Sequence, residues 1–200
     1  MNTSTLSNHA RLGASALAIL FGVSVVQAQP PDGWIKAGNK PQSYEVGLDS
    51  STFKSGDKSC YMKSTERKID GFGTVMQSIL PDDYRGERVR LSGYLKTKDA
   101  KGWVGLWMRV DGEERNKSLA FDNMQSRPLK GTTEWTKCDV VLEVDKSATN
   151  VSFGFLMNGV GKVWADGLVL EIVDRTVSTT DMMSKGLGKK RKAQNLDFDQ

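Results

Sequence analysis

The stretch Trp103-Val104-Gly105-Leu106-Trp107-Met108-Arg109-Val110 decides the fold class, because aliphatic residues occupy every second position along it. Successive side chains of a β-strand point to opposite faces of the sheet, so the aliphatic residues share one face, and Trp103, Trp107 and Arg109 share the other. An aliphatic face packs without polar atoms that need partners, whereas arginine is rarely buried unpaired. The sequence therefore predicts a strand with its aliphatic face in the core and its two tryptophans and Arg109 pointing away from it.

The preceding run, Arg88-Val89-Arg90-Leu91-Ser92-Gly93-Tyr94-Leu95-Lys96, alternates in the same way. Its aliphatic residues are predicted to face the core, which leaves Arg90 and Tyr94 on the outer face. If the two strands are neighbours, these residues join Trp107 and Arg109 on one surface. Aromatic rings stack on the apolar faces of sugars and planar donors select among hydroxyl groups, so this surface predicts carbohydrate binding. The alternative is that a loop or second layer covers the tryptophans and that Arg109 makes a structural ion pair.

Short β-like runs continue on both sides of these strands, separated by turn-forming pairs such as Asp70-Gly71 and Asp111-Gly112. No long window has the periodicity of an amphipathic helix. Many short strands with such spacing are typical of an all-β, antiparallel β-sandwich of the jelly-roll type, which is the fold class we predict. The predicted strands span residues 43–48, 58–64, 72–80, 88–97, 103–110, 118–121, 134–144, 150–157 and 162–173.

Composition restricts the function classes. The chain has 200 residues, of which 38% are hydrophobic and 26% charged, as in an ordinary globular domain. Its single histidine, His9, lies in a predicted leader, which excludes Ser-His-Asp hydrolysis and His-ligated zinc for the mature protein. Residues 29–174 carry 21 basic and 21 acidic side chains, so the net charge of +4 comes mainly from the C-terminal tail. A neutral body gives no indication of a nucleic-acid interface.

The N-terminal residues have the features of an export signal. Residues 1–28 lack acidic side chains, contain an apolar run from Leu12 to Val26 and end on the small residue Ala28. This pattern predicts a signal peptide cleaved after Ala28 and a secreted or periplasmic mature protein without a membrane span; an uncleaved N-terminal anchor is the alternative. The predicted domain then covers residues 29–177, and a basic flexible linker follows over residues 178–194.

Export bears on the two cysteines and on metal chemistry. Cys60 and Cys138 both lie in predicted strands, and an oxidising compartment would let them form a disulfide; two buried free thiols are the alternative. Asp166 and carboxylates near the termini could form a structural calcium site, but no dense Asp-rich loop is present, so no cofactor is predicted. The 24 acidic residues define no particular pair for glycoside cleavage, and no catalytic residue is predicted.

The segment Ala120-Phe121-Asp122-Asn123-Met124-Gln125-Ser126-Arg127-Pro128 is the most polar loop of the chain. Asp122, Asn123 and Arg127 supply acceptors, an amide and a guanidinium close to the strand that carries Trp107, and are predicted to contact the ligand with it. The alternative is a self-satisfied turn in which Asp122 bonds the local backbone and Arg127 pairs with Asp122.

Several longer motifs resemble one family of bacterial domains. They include Gly71-Phe72-Gly73-Thr74-Val75-Met76-Gln77, Gly105-Leu106-Trp107-Met108-Arg109-Val110-Asp111-Gly112 and Gly131-Thr132-Thr133-Glu134-Trp135. Together they resemble jelly-roll domains of the galactose-binding-like, carbohydrate-binding-module type over residues 33–174, domains that occur alone after a signal peptide or attached to regulators. The resemblance implies a β-sandwich with a ligand-binding role and no catalytic activity.

The C-terminus extends the same resemblance. Such domains often begin with an Asn-Leu-x-Phe-Glu-like strand, and Asn195-Leu196-Asp197-Phe198-Asp199 looks like that missing piece, so residues 195–200 are predicted to add an edge strand, with fraying as the alternative. The sequence thus predicts an exported, non-enzymatic module that binds carbohydrate or a similar polar ligand. A protein-interaction or adhesion module on the same fold and a carboxylate-dependent hydrolase are the alternatives.

Overall fold

The computed structural model describes Met1 and residues 28–114 and 117–185. Its strands pair antiparallel throughout, which confirms the predicted all-β antiparallel class. The predicted leader, apart from its two end residues, and the predicted edge strand at residues 195–200 lie outside the described residues. The elements are β1 (Ile35–Gly38), β2 (Tyr44–Asp49), β3 (Ser59–Ser64), β4 (Phe72–Ile79), β5 (Arg88–Asp111), β6 (Ser118–Asp122), β7 (Leu129–Glu143), β8 (Asn150–Val173) and the single-turn helix α1 (Met182–Lys185).

Two long strands, β5 and β8, form the ribbon on which both layers are built. They pair from Arg88 opposite Val173 to Asp111 opposite Asn150, with a break in register between Lys98 and Lys101. Left-handed or other positive-φ residues cluster at this break, and Gly102 and Gly159 have φ of 157° and 82°. Glycine adopts such angles at little cost, so both strands bend there together and the ladder continues beyond the bend. The sequence predicts two separate strands in place of each of them, with the interruption at this bend.

The halves of the ribbon lie in different sheets of the sandwich. The front sheet has the order β1, β4, β8 (residues 150–158), β5 (residues 101–111) and β6. The back sheet has the order β2, β3, β8 (residues 162–173), β5 (residues 88–98) and β7. Two such antiparallel sheets, linked by a ribbon that folds over, are a jelly roll, as the strand spacing predicted.

The core fills the space between the sheets. Val104, Leu106, Met108 and Val110 of β5 are fully buried, which confirms the predicted orientation of this stretch. The aliphatic residues of the earlier half of β5 join the same cluster. Tyr44 packs against Gly73, where a Cβ atom would lie 2.5 Å from its ring.

The segment after β8 packs against the domain instead of leaving it at residue 177. The Thr180 backbone N–H donates to the Val141 carbonyl at 2.8 Å, and the Val141 N–H donates to the Thr180 hydroxyl at 2.9 Å. The Phe121 N–H then donates to the Asp181 carboxylate at 3.1 Å. The first residues of the predicted linker therefore run along the edges of β7 and β6 and close that side of the sandwich. In the described ranges no helix has the length and apolar character needed to cross a membrane.

Candidate functional site

A cleft of about 440 Å³ opens on the outer face of the front sheet. Its walls come from the outward-facing residues of β1, β4, β5, β6 and β8 and from the loop after β6. The lining is mostly aromatic and aliphatic, with a few amide, hydroxyl and guanidinium groups. The residues are Ala37, Gly38, Phe72, Thr74, Met76, Trp103, Trp107, Arg109, Phe121, Asn123, Leu156 and Asn158.

Trp107 forms the floor of the cleft. It points away from the core, but only 8% of its surface is exposed, because its ring lies against the sheet. Its Nε1–H donates to the Thr74 hydroxyl at 2.7 Å, which in turn donates to the Phe155 carbonyl at 2.8 Å. The indole thus crosses the middle strand β8 to reach β4. It can do so because Gly154, the residue opposite Trp107 on β8, has no side chain.

Arg109 lines the cleft, and only the Nε–H of its five N–H donors is used. Its side chain is 46% exposed, and its Nε lies 2.9 Å from Asp111 in an ion pair. Asp111 also accepts hydrogen bonds from Asn150 and Ser118, which fix the carboxylate. Neither terminal guanidinium nitrogen of Arg109 has a partner among the described residues. Such a guanidinium is oriented by one nitrogen and free to donate to a ligand with the other two.

The loop after β6 divides into one cleft residue and one structural pair. The Asn123 side-chain oxygen accepts the Gln125 N–H at 3.1 Å, so its amide NH₂ is left to line the cleft. Asp122 is completely buried and accepts two hydrogen bonds from Arg127, at 3.1 and 2.6 Å. The prediction that Asp122 and Arg127 contact a ligand is therefore wrong, because each is committed to the other beneath the loop.

Gly105 is part of the same arrangement. A Cβ atom at Gly105 would lie 2.7 Å from the Met124 side chain. Met124 has a φ of 60° and is almost fully buried, so the loop folds down onto the sheet at this point. Gly105 thus positions the loop that carries Asn123 and does not itself provide space for a ligand.

Arg90 and Tyr94 lie on the back sheet and do not line the cleft. Arg90 pairs with Glu171 at 2.7 Å, and the Lys54 ammonium lies 5.3 Å from the centre of the Tyr94 ring. The prediction that they share a surface with Trp107 is wrong because β5 changes sheets at its bend. Beyond the bend, the outer face of the strand is on the opposite side of the sandwich.

Other cleft residues were missed by sequence analysis. Phe72 and Thr74 on β4 and Asn158 on β8 reach the cleft because their strands pair with each other and with β5. Phe121 comes from β6. The alternation along each strand marks these side chains as outward-facing, but it does not show which strands are neighbours.

The cysteines are unpaired, which corrects the predicted disulfide. Cys60 lies on β3 and Cys138 on β7, and β8 and β5 run between these strands. Three strand spacings separate their backbones by about 14 Å, twice the reach of a disulfide. Burial raises the pKa of the Cys60 thiol to about 12 and that of Cys138 to about 11.

Asp166, the carboxylate considered for calcium, is used locally. It accepts the backbone N–H groups of Lys54 and Ser55 at 2.5 and 2.9 Å and so fixes the loop between β2 and β3. No group of three or more potential metal ligands occurs in the part of the chain that the structure describes. A calcium site at the termini stays a prediction.

The fold and the cleft can now be compared with known proteins. No family model matches the chain. The chain is 41% identical over 155 residues to an uncharacterised HTH-type transcriptional regulator, YbfP, of Bacillus subtilis. That alignment covers 77% of this chain and 52% of the regulator, so the chain spans about half the length of this curated relative.

Solved structures share the architecture at low sequence identity. The xylan-binding CBM22-1 domain of Paenibacillus barcinonensis Xyn10C has a TM-score of 0.52 and 16% identity, covering 74% of this chain and 90% of that domain. The enzymatically active domain of tailspike protein 4 from bacteriophage CBA120 has a TM-score of 0.54 and 11% identity, covering 71% of this chain but only 20% of the tailspike. The chain therefore shares its β-sandwich fold with this xylan-binding domain.

Proposed function

We propose that the front-sheet cleft binds a carbohydrate chain. The observation that carries this proposal is an aromatic-lined cleft, with Trp103, Trp107 and Phe72 among its walls, into which Arg109 and Asn123 present unused donors. Aromatic surface favours the C–H faces of sugar rings, and the donors at its ends select hydroxyl groups. The likeness to a xylan-binding domain supports the same assignment.

We further propose that the module binds its ligand without cleaving it. Glycoside hydrolysis requires two carboxyl groups placed on either side of the scissile bond. The described residues that line the cleft include neither aspartate nor glutamate. Asp111, the acid that pairs with the cleft residue Arg109, is already bonded to three side chains. Binding without chemistry is therefore the function that this lining supports best.

The Bacillus relative bears on where such a module works. It is named as a transcriptional regulator, and this chain matches about half of it, so a ligand-recognition domain could serve either as a free binding protein or as the sensing half of a larger chain. For this chain, the apolar run from Leu12 to Val26, followed by the small residue Ala28, supports export and action outside the cytoplasm. Mass spectrometry of the protein recovered from its native host tests this, since cleavage leaves Gln29 as the first residue.

Binding to polysaccharides tests the cleft directly. The mature protein is titrated with xylo-oligosaccharides and screened on immobilised neutral polysaccharides. Trp103→Ala and Arg109→Ala should each weaken binding about tenfold or more, because each removes a stacking surface or a charge-assisted donor worth about 1.5 kcal/mol. Both side chains are partly exposed, so the fold should be retained.

Two matched variants control for general effects of these substitutions. Trp135→Ala removes another partly exposed tryptophan, and Arg90→Ala removes another arginine held by a single carboxylate, both outside the cleft. These variants should bind as the unmodified protein does. If all four variants keep full affinity for a polysaccharide that binds, the ligand occupies another surface. If no polysaccharide binds and a specific protein is captured instead, the cleft serves the alternative function of protein interaction.

A further inference from the structure

Three lysines lie side by side on the outer face of the back sheet. Lys63 of β3 is directly opposite Lys162 of β8, and Lys162 is directly opposite Lys98 of β5. Like charges on directly opposed residues of neighbouring strands destabilise a sheet. The packing of the core does not require this row, because all three side chains point away from it. Because the row does not stabilise the fold, a role in ligand binding explains it better than a structural role.

The ammonium group of Lys162, the middle lysine of the row, is held by two aromatic rings and a carboxylate. The Lys162 ammonium lies 4.2 Å from the centre of the Trp164 ring and 4.4 Å from that of Tyr61. It also lies 3.3 Å from a carboxylate oxygen of Asp49. Asp49 is itself fixed, because the Trp164 Nε1–H donates to the same oxygen at 2.8 Å. The Lys162 ammonium is therefore held toward these three groups, to one side of the space between Lys63 and Lys98.

A cleft of about 420 Å³ occupies that space, between Lys63 and Lys98. Neither of these lysines has an ion pair or hydrogen bond with any described residue, and both are exposed. Ser64 lines the same cleft, and its hydroxyl oxygen accepts the Gly161 N–H at 3.0 Å, so its own O–H is free to donate. The cleft thus offers two ammonium groups and a hydroxyl donor from β3 and β5, which lie on either side of β8.

The acidic groups around the cleft do not neutralise it. Glu45 is the cross-strand neighbour of Lys63, but its carboxylate accepts a hydrogen bond from the Tyr61 hydroxyl and does not line the cleft. Asp99 is the one acid among the described residues of the lining, and it stands at the rim beside Thr132, 3.5 Å away. Lys162 is paired with Asp49, so the remaining charges of the lining are Lys63 and Lys98 against Asp99, a net charge of +1 in a domain that is neutral as a whole.

From this geometry we infer that the back sheet carries a second binding site, separate from the front cleft, for a doubly charged oxyanion such as a sulfate or phosphate group. One such anion pairs with both ammonium groups, and its two charges are attracted more strongly than the charge of a singly charged anion. Binding would relieve the repulsion along the row. The same group can come from a free ion or from an ester on a polysaccharide, and the two sources are separated by experiment.

Thermal unfolding of the full chain tests the site. Sodium sulfate is compared with sodium chloride at equal, low ionic strength, so that general screening is the same. Sulfate should raise the melting temperature by about 3 °C more than chloride, as expected for a ligand at several times its dissociation constant. In Lys63→Gln/Lys98→Gln this difference should disappear. In Lys68→Gln/Lys146→Gln, which removes two exposed lysines elsewhere, it should remain.

The double variant supplies a second readout. Without added sulfate it should be at least as stable as the unmodified protein, because it loses two like charges from the row and no contact. General salting-out by sulfate would stabilise all three proteins equally. The inference is overturned if the sulfate effect is the same in the three proteins, or if the double variant melts several degrees lower in plain buffer.

The source of the anion is resolved by titration. Dextran sulfate is compared with inorganic sulfate and with uncharged dextran, in a chain whose basic tail is neutralised by Lys189→Gln, Lys190→Gln, Arg191→Gln and Lys192→Gln. Binding of dextran sulfate that is stronger than that of inorganic sulfate, and that is lost in Lys63→Gln/Lys98→Gln, assigns the site to an esterified polysaccharide. Binding of both with equal affinity per sulfate assigns it to a free ion. Failure of both to bind refutes the site without affecting the front cleft.

Discussion

Replacement of Arg127 by methionine distinguishes a structural residue from a ligand contact. Asp122 is 0% exposed and accepts two hydrogen bonds from Arg127 and one from the Met124 N–H at 2.9 Å. Without Arg127 the carboxylate stays buried with a single donor. Removal of one partner of a buried ion pair costs about 3–5 kcal/mol, and the partial exposure of Arg127 favours the lower end of that range. For a domain of this size the melting temperature should fall by about 6–12 °C.

Urea denaturation at pH 7, followed by tryptophan fluorescence, measures this loss directly. Arg109→Met is the matched control, because its ion pair with Asp111 is largely exposed and should contribute no more than about 1 kcal/mol. In Asp122→Asn/Arg127→Met the buried charge is gone, so the double variant should regain part of the lost stability. A cost below about 1 kcal/mol for Arg127→Met, combined with a loss of polysaccharide binding, would refute the structural assignment and restore Arg127 to the binding site.

Two further predictions concern buried polar groups. Thr74→Val should destabilise the protein by about 1–3 kcal/mol, because it leaves the Trp107 indole N–H without its acceptor; Thr136→Val, at an exposed threonine, should cost almost nothing in the same urea titration. The Cys60 pKa is raised by burial to about 12, above its unfolded value of about 8.5, so its contribution to stability is complete below pH 8.5 and declines as the pH rises. Between pH 8.5 and 10 this group should lower the free energy of unfolding by about 2 kcal/mol. Over the same range the stability of Cys60→Ala should fall by about 2 kcal/mol less than that of the unmodified protein. Parallel curves of unfolding free energy against pH for the two proteins would contradict the buried-thiol assignment.

The orientation of single strands was predictable because it depends only on local alternation. The stretch from Trp103 to Val110 has four aliphatic residues at alternate positions, and burying them fixes where Trp107 and Arg109 point. The fold class followed in the same way from strand number and spacing. These properties are encoded within a few consecutive residues, so one sequence was sufficient to read them.

The composition of the cleft was less predictable because it depends on strand pairing over long distances. Trp107 and Arg109 share the cleft with Phe72 and Asn158, which lie far away in sequence. Arg90, much closer along the chain, lies on the other side of the sandwich. The interruption predicted between residues 97 and 103 coincides with the bend, but β5 continues through it, because a turn that ends a strand and a bend of a whole two-stranded ribbon have the same sequence signature.

The bend of the ribbon also explains how one pair of strands can serve two surfaces. On the back-sheet side of the bend, the outward positions of β5 and β8 carry Lys98 and Lys162; on the front-sheet side, they carry Trp103 and Asn158. A Cβ atom on Gly102 would lie 2.1 Å from the Asn158 carbonyl, so this crossing tolerates no side chain there. Because the ladder continues through the bend, the two surfaces have a fixed orientation relative to each other. A ligand with both a neutral sugar face and an anionic group would therefore meet them on opposite sides of the sandwich, which favours separate chains or separate segments of one long chain as their occupants.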